Sequence, residues 1–194
     1  MKVLIVYSHP SQESFSYTVL EKLISILERQ DHQVTVSDLY EKRFQTDLSA
    51  EEYKHETQLP LLSKLAPDVI EEQKLLLATD CVIFLYPVWW SDCPAKLKGW
   101  FDRVWSNGFA YSKTDNPRRL EKIKTGIVIC TAGHSREDLN QTAIAESMKK
   151  IMLGDRLGDR FENKHMIILA GTLIEENKPM ILNRVQDVIK LITT

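Results

Sequence analysis

Five short apolar runs alternate with five amphipathic ones along this chain of 194 residues. Val3-Leu4-Ile5-Val6-Tyr7 is rich in β-branched residues and stops at the turn signal Ser8-His9-Pro10, which predicts a strand. From Ser14 to Gln30 the apolar residues Phe15, Val19, Leu20, Leu23, Ile24 and Leu27 recur at helical spacing. Gln33 to Ser37 alternates and predicts a second, shorter strand, and residues 67 to 78 predict a helix with Pro67 in its first turn. The same reading gives a third strand at Cys81 to Tyr86 and a third helix at Pro94 to Trp105. Strand four falls at Thr125 to Thr131, helix four at 135 to 152, strand five at Met166 to Ala170 and helix five at 177 to 192. Near-continuous apolar strands need a sheet covered on both faces, and strand-helix alternation implies parallel pairing through right-handed crossovers. The expectation is one α/β domain over residues 1 to 194, built on a doubly wound five-stranded parallel sheet with 2-1-3-4-5 as the leading strand order. Asp38 to Ala66 and Asn107 to Lys124 are polar, irregular and longer than a crossover requires, which marks them for function or for contacts.

Composition changes this picture little. Apolar residues at 43% and charged residues at 27% are ordinary for a globular protein, and a net charge of −2 gives no reason to expect a nucleic acid or an anionic membrane as main ligand. The three cysteines, Cys81, Cys93 and Cys130, are too scattered for a disulfide framework or a metal site. Cys81 and Cys130 sit in apolar runs and read as small buried hydrophobes. Val3 to Tyr7 is too short for a signal peptide, and no apolar stretch approaches the roughly 20 residues that span a bilayer. The chain reads as a reduced, cytoplasmic protein without an integral membrane segment.

In a doubly wound sheet, ligands bind outside the carboxyl ends of the strands. Three loops qualify. Ser8 to Ser16 is rich in hydroxyls and runs into a helix, so free N–H groups and serine hydroxyls suit a phosphate. It lacks G-x-G-x-x-G and the P-loop pattern, which disfavours a nicotinamide-binding Rossmann domain and a P-loop NTPase. The second loop, Pro87-Val88-Trp89-Trp90-Ser91-Asp92-Cys93-Pro94, places two tryptophans at a strand end. Adjacent side chains in extended backbone point to opposite faces, so one indole is expected in the core and the other against a flat conjugated ligand. The third loop, Thr131-Ala132-Gly133-His134-Ser135, offers polar edges and a glycine for close backbone approach.

The block from Tyr86-Pro87-Val88-Trp89-Trp90 through Pro94-Ala95-Lys96-Leu97-Lys98-Gly99-Trp100-Phe101-Asp102-Arg103-Val104 to Gly108-Phe109-Ala110-Tyr111 resembles the signature of the NAD(P)H:quinone oxidoreductases. That family has the flavodoxin-like fold and includes DT-diaphorase and the bacterial modulator-of-drug-activity enzymes. Ser8-His9-Pro10 with Ser14-Phe15-Ser16 is similar to its phosphate loop, and the similarity spans about residues 2 to 135. The resemblance implies a homodimer with flavin at the interface, FAD in preference to FMN, and NAD(P)H as co-substrate. It implies that His9, Ser14, Phe15, Ser16 and Thr18 hold the phosphate and ribityl end. Pro87, Val88, Trp89, Trp90 and Ser91 line the isoalloxazine, and Thr131, Ala132, Gly133 and His134 face its pyrimidine side. Tyr111 reaches over the neighbouring subunit's flavin. The family's larger animal members carry a tyrosine and a histidine in and after the loop that follows strand four. Here Gly133 to Leu139 contains no tyrosine, so His134 or Arg136 is the candidate substitute, and the place of His134 in the loop makes it the candidate proton donor to a reduced quinone-like acceptor.

Two other functions fit the same fold. A flavodoxin electron carrier is usually strongly acidic, which this chain is not, and a flavoprotein subunit of a potassium efflux system shares the strand-three block. Phosphatase chemistry on a similar fold needs a cysteine in the first loop, where none is present. His32, His55 and His165 read as solvated or structural, and the basic residues Arg118, Arg119, Lys122 and Lys124 as a solvated face.

Overall fold

The computed structural model describes residues 1–57, 65–115 and 117–192. Five strands, β1 (Lys2–Tyr7), β2 (Gln33–Asp38), β3 (Cys81–Pro87), β4 (Ile123–Ala132) and β5 (Phe161–Ala170), form one sheet in the order β2-β1-β3-β4-β5. Every pairing is parallel, with Ile5 opposite both Val36 and Ile83, and Ile83 opposite Ile127. This is the expected doubly wound, flavodoxin-like topology. The strand pleat divides the core into two layers. Val3, Ile5 and Tyr7 of β1, with Ile83 and Leu85 of β3, pack on Val19, Leu20, Leu23 and Leu27 of helix α1 (Phe15–Glu28). Leu4 and Val6, with Phe84 and Tyr86, face the other way. They pack in one cluster with residues of α3 (Pro67–Leu77) and α4 (Ala95–Val104), among them Leu76, Trp100 and Phe101. Cys81, Cys93 and Cys130 are buried free thiols.

The polar segment after β2 contains an unexpected helix, α2 (Ala50–Thr57). Its start is a capping box: the Glu52 N–H donates to Ser49 Oγ, and the Ser49 N–H donates to Glu52 Oε2 at 2.8 Å. The S-x-x-E spacing is visible in the sequence; the weak apolar periodicity hid it. Residues 58–64 of that segment, and Asn116 of the later one, lie outside the described residues.

Helix four is not continuous. It divides into α5 (Arg136–Gln141) and α6 (Ile144–Lys149), and the chain then widens into a π-type turn over Lys150–Arg156. The break sits at Ala143, in the left-handed region at φ 56°, just after Thr142 turns its hydroxyl back onto the Asp138 carbonyl at 2.7 Å. Helix five likewise divides into α7 (Lys178–Asn183) and α8 (Asp187–Ile192), joined by a 3₁₀ turn at Arg184–Gln186. β5 begins at Phe161, five residues before the expected Met166, because Phe161 already pairs with Ile123. The early stretch is polar because β5 is an edge strand with one flank open to water. Among the described residues, no helix is long and apolar enough to cross a membrane.

Candidate functional site

The strand order reverses between β1 and β3, and there the loops after β1, β3 and β4 diverge above the sheet. A cleft of about 480 Å³ opens at this rim. From the first loop it takes His9, Ser14, Phe15 and Ser16. Ser14 caps α1, its hydroxyl accepting from the Tyr17 N–H at 3.1 Å, so the first-turn N–H groups of α1 sit at this rim. His9 Nδ1 lies 3.0 Å from the Ser11 nitrogen and 3.1 Å from the Ser11 carbonyl oxygen, so the tautomer decides whether it accepts from the one or donates to the other. Burial lowers the His9 pKa against smaller opposing effects from the Ser11 backbone and Asp38. The neutral imidazole is thereby favoured.

The loop after β3 adds Pro87, Val88 and Trp89. The Val88 N–H donates to the Thr131 carbonyl at 2.8 Å, carrying the β3–β4 pairing one residue beyond the strand. The next four residues form a tight turn: the Trp89 N–H donates to the Asp92 carbonyl at 2.9 Å and the Asp92 N–H returns to the Trp89 carbonyl at 3.1 Å. Trp90 and Ser91 occupy its corners at φ 51° and 63°, a mirror-image turn that ordinarily takes Asn and Gly. Buried Arg156 grips Asp92 with both guanidinium nitrogens, at 2.6 and 2.8 Å. Burial works against the Asp92 charge, and the hydrogen bonds and charge of Arg156 overcome it, holding that carboxyl below the ordinary carboxylate range.

This turn corrects the expectation for the paired tryptophans: neither is in the core. Trp90 is fully exposed and Trp89 is 41% exposed, with its ring 6.0 Å from that of His9. The alternation rule applies to extended backbone, and at Trp90 the chain is no longer extended.

From the loop after β4 the cleft takes Thr131, Gly133 and His134. Thr131 Oγ1 lies 2.7 Å from Ser16 Oγ, a buried bridge that ties the floor of the first loop to the third. Gly133 is a close-approach position, since a Cβ there would stand 2.9 Å from Leu173 Cδ1. Thr172 and Leu173, after β5, complete the wall. The sequence reading did not include this fourth loop; its signal was Gly171, at φ 81° directly after the fifth apolar run.

Of the residues singled out from sequence, ten line the cleft: His9, Ser14, Phe15, Ser16, Pro87, Val88, Trp89, Thr131, Gly133 and His134. Thr18, Trp90, Ser91, Ala132 and Tyr111 are not among its lining. Thr18 is exposed one turn along α1, and Ala132 is buried at the end of β4. The Tyr111 hydroxyl donates to Glu56 of α2. Burial, followed by that hydrogen bond and the Glu56 charge, pushes the phenol pKa up. His55, read as solvated or structural, is structural, its Nε2 lying 3.1 Å from the Asn107 carbonyl.

A family model for the flavodoxin-like fold matches residues 1–156. The chain is 41% identical over 160 residues to the human ribosyldihydronicotinamide dehydrogenase [quinone], covering 74% of this chain and 68% of that protein. It is 40% identical over 146 residues to the rat NAD(P)H dehydrogenase [quinone] 1, covering 64% and 53%. A solved NAD(P)H:quinone oxidoreductase from Methanothermobacter marburgensis superposes with a TM-score of 0.88 at 44% identity, covering 96% of this chain and 94% of that one. The chain spans 45% to 65% of the length of the first curated relatives it matches. Sheet order, rim cleft and these likenesses agree, and the chain belongs to the flavodoxin-like family that includes the NAD(P)H:quinone oxidoreductases.

Proposed function

We propose that this chain is a flavin-dependent oxidoreductase that takes hydride from NAD(P)H and delivers it to quinones or related acceptors. The observation that carries the reading is the rim cleft, in which apolar walls from Phe15, Val88, Trp89 and Leu173 enclose a few hydroxyl and imidazole groups. Binding sites for flat conjugated cofactors have this composition. The donor set also fits a flavin nucleotide. The α1 start and the His9 imidazole suit a phosphate or ribityl end, and the Ser16–Thr131 bridge sets hydroxyls on the floor. Among the described residues, the N–H groups of Gly133 and His134 make no hydrogen bond within the protein and remain available to a ring edge.

A bound flavin would supply the hydride chemistry, and the protein's part is position and electrostatics. Ser14, Phe15, Ser16 and His9 hold the nucleotide tail, with Thr18 beside them. Pro87, Val88 and Trp89 keep one face of the ring slot flat and exclude water from it. The Gly133 and His134 N–H groups, with Thr131 and Ala132, form the polar edge where negative charge is stabilised on reduction. The imidazole of His134, exposed at the cleft edge, holds a proton for the reduced acceptor. In the homodimer that the strand-three block implies, Tyr111 closes the slot of the other subunit. FAD is the flavin this block favours, and the setting is cytoplasmic.

The test is direct. Purified protein is expected to be yellow, to release FAD on denaturation, and to lose its visible bands within seconds of anaerobic NADPH addition. His134→Ala should lower acceptor turnover while donor-driven bleaching persists. Colourless protein that takes up neither FAD nor FMN would overturn the reading. Bound flavin that NAD(P)H does not bleach would mark an electron carrier instead.

A further inference from the structure

β5 is the edge of the sheet, and the carbonyls on its outer flank have no neighbouring strand. Two arginines from opposite sides of the sheet converge on one of them. Arg136, at the start of α5, donates to the Ile168 carbonyl at 3.3 Å, and Arg184, after α7, donates to the same oxygen at 3.4 Å. Lys149 of α6 lines the same small cavity, about 120 Å³ in volume. Among the described residues, none of the three is within ion-pairing distance of a carboxylate. Burial lowers the Arg184 pKa, the charge of Arg136 lowers it further, and the nearby Asp187 carboxylate opposes both. Two guanidiniums crowded onto one neutral oxygen repel each other, and an anion between them would relieve that repulsion. The chain's net charge of only −2 makes this a local feature and not part of a basic surface.

The cavity adjoins the cleft. His134 lines the cleft and Arg136 the cavity; Thr172 lines the cleft and Ala170 the cavity. One residue separates the members of each pair, so their Cα atoms lie at most about 7 Å apart. A dinucleotide is longer than that span and can bridge the cleft and the cavity. Relatives of this chain differ on this point, since ribosyldihydronicotinamide carries no phosphate and NAD(P)H carries several.

We infer that Arg136, Arg184 and Lys149 form a phosphate site for the hydride donor, and that this chain selects a phosphorylated dinucleotide over the bare riboside. The inference rests on the oxidoreductase reading above. Arginine matches phosphate oxygens in pairs, while Lys149 adds a flexible point charge. Its position beyond β4 is on the far side of the cleft from the α1 start, which serves the flavin's own phosphate.

The test compares NADPH with reduced nicotinamide riboside as donors to the holoenzyme. Arg136→Gln and Arg184→Gln should each lower the ratio of kcat/KM for NADPH to that for the riboside by about tenfold. Lys149→Gln, on an exposed side chain that touches no backbone carbonyl, should lower it about threefold and keeps the test open if an arginine variant fails to fold. Titration calorimetry with inorganic pyrophosphate should show binding to the wild type that weakens in Lys149→Gln, and pyrophosphate should compete with NADPH but not with the riboside. A ratio unchanged within twofold overturns the inference. So does pyrophosphate binding without competition, which would mark a site for free anions, or flavin loss at constant donor ratio, which would assign the cations to the cofactor. If neither donor bleaches the wild type, the oxidoreductase reading itself fails, a result distinct from a donor ratio that does not move.

Discussion

Replacing Arg103 by leucine should destabilise the protein by about 3 kcal/mol, and the structure shows where that energy resides. The guanidinium is buried on α4. Its Nε donates to Glu52 of α2 at 2.8 Å, its two terminal nitrogens grip Asp68 of α3 at 2.6 and 2.9 Å, and one of them also reaches the Gln45 carbonyl at 2.7 Å. The Phe44 ring lies 4.9 Å beneath it. Three helices and the loop after β2 thus meet on one side chain. Removing one partner of a buried ion pair typically costs about 3–5 kcal/mol, because the other charge is left unpaired away from water. Glu52 is buried, but the Asp68 side chain is 31% exposed and recovers some hydration, which places the expectation at the lower end. For a chain of this size, that corresponds to roughly 6–12 °C in Tm. Urea unfolding at neutral pH measures it. The pH dependence is a second check. Burial opposes the charges on Glu52 and Asp68, and the hydrogen bonds and charge of Arg103 outweigh it, holding both carboxyls below their ordinary values. A depressed folded-state pKa stabilises the fold above the unfolded value, and that stability is lost as pH falls through the folded value. The wild-type advantage over Arg103→Leu should therefore shrink below about pH 4. A loss under about 1 kcal/mol at neutral pH, or a gap that stays constant into acid, would refute the reasoning.

Two further substitutions test other parts of the structure. Trp90→Gly should stabilise the protein by up to about 1 kcal/mol, since it relieves a left-handed backbone at φ 51° and removes a side chain that packs on nothing in the chain, and acceptor turnover should hold because the indole lies outside the cleft lining. Thermal melts and steady-state assays read the two effects separately, and a lowered Tm would show that the turn is not strained. Gly99→Ala should cost roughly 2 kcal/mol, because its Cβ would stand 2.3 Å from the Thr46 carbonyl oxygen and 2.6 Å from Thr46 Cα, backbone that must move. A neutral result in chemical denaturation would mean that the loop holding Thr46 shifts freely.

The strands, their parallel pairing and the rim of the sheet where the cleft opens were legible in sequence because each is local or follows from the chirality of the chain, whereas the strand order was a choice among topologies that the structure settled. Val3 to Tyr7 and Cys81 to Tyr86 are apolar at every position, and such strands are stable only inside a two-faced sheet. The serines of the first loop and the strand-four loop were legible for the same reason: they follow strands at a known rim. Contacts between distant segments were not legible. Trp89 and Trp90 are adjacent in a run that reads as extended, yet Arg156, 64 residues after Asp92, anchors the turn that lifts both from the core. Helix four reads as continuous, but Thr142 competes for its backbone and Ala143 breaks it. Thr172 and Leu173 became cleft residues only once β5 had brought its end beside β4. The sequence by itself determined the strands and the rim on which the cleft opens, since hydrophobic periodicity is a property of neighbours. Tertiary structure alone decided which side chains line that cleft, because long-range ion pairs and loop closures depend on residues that no local pattern connects.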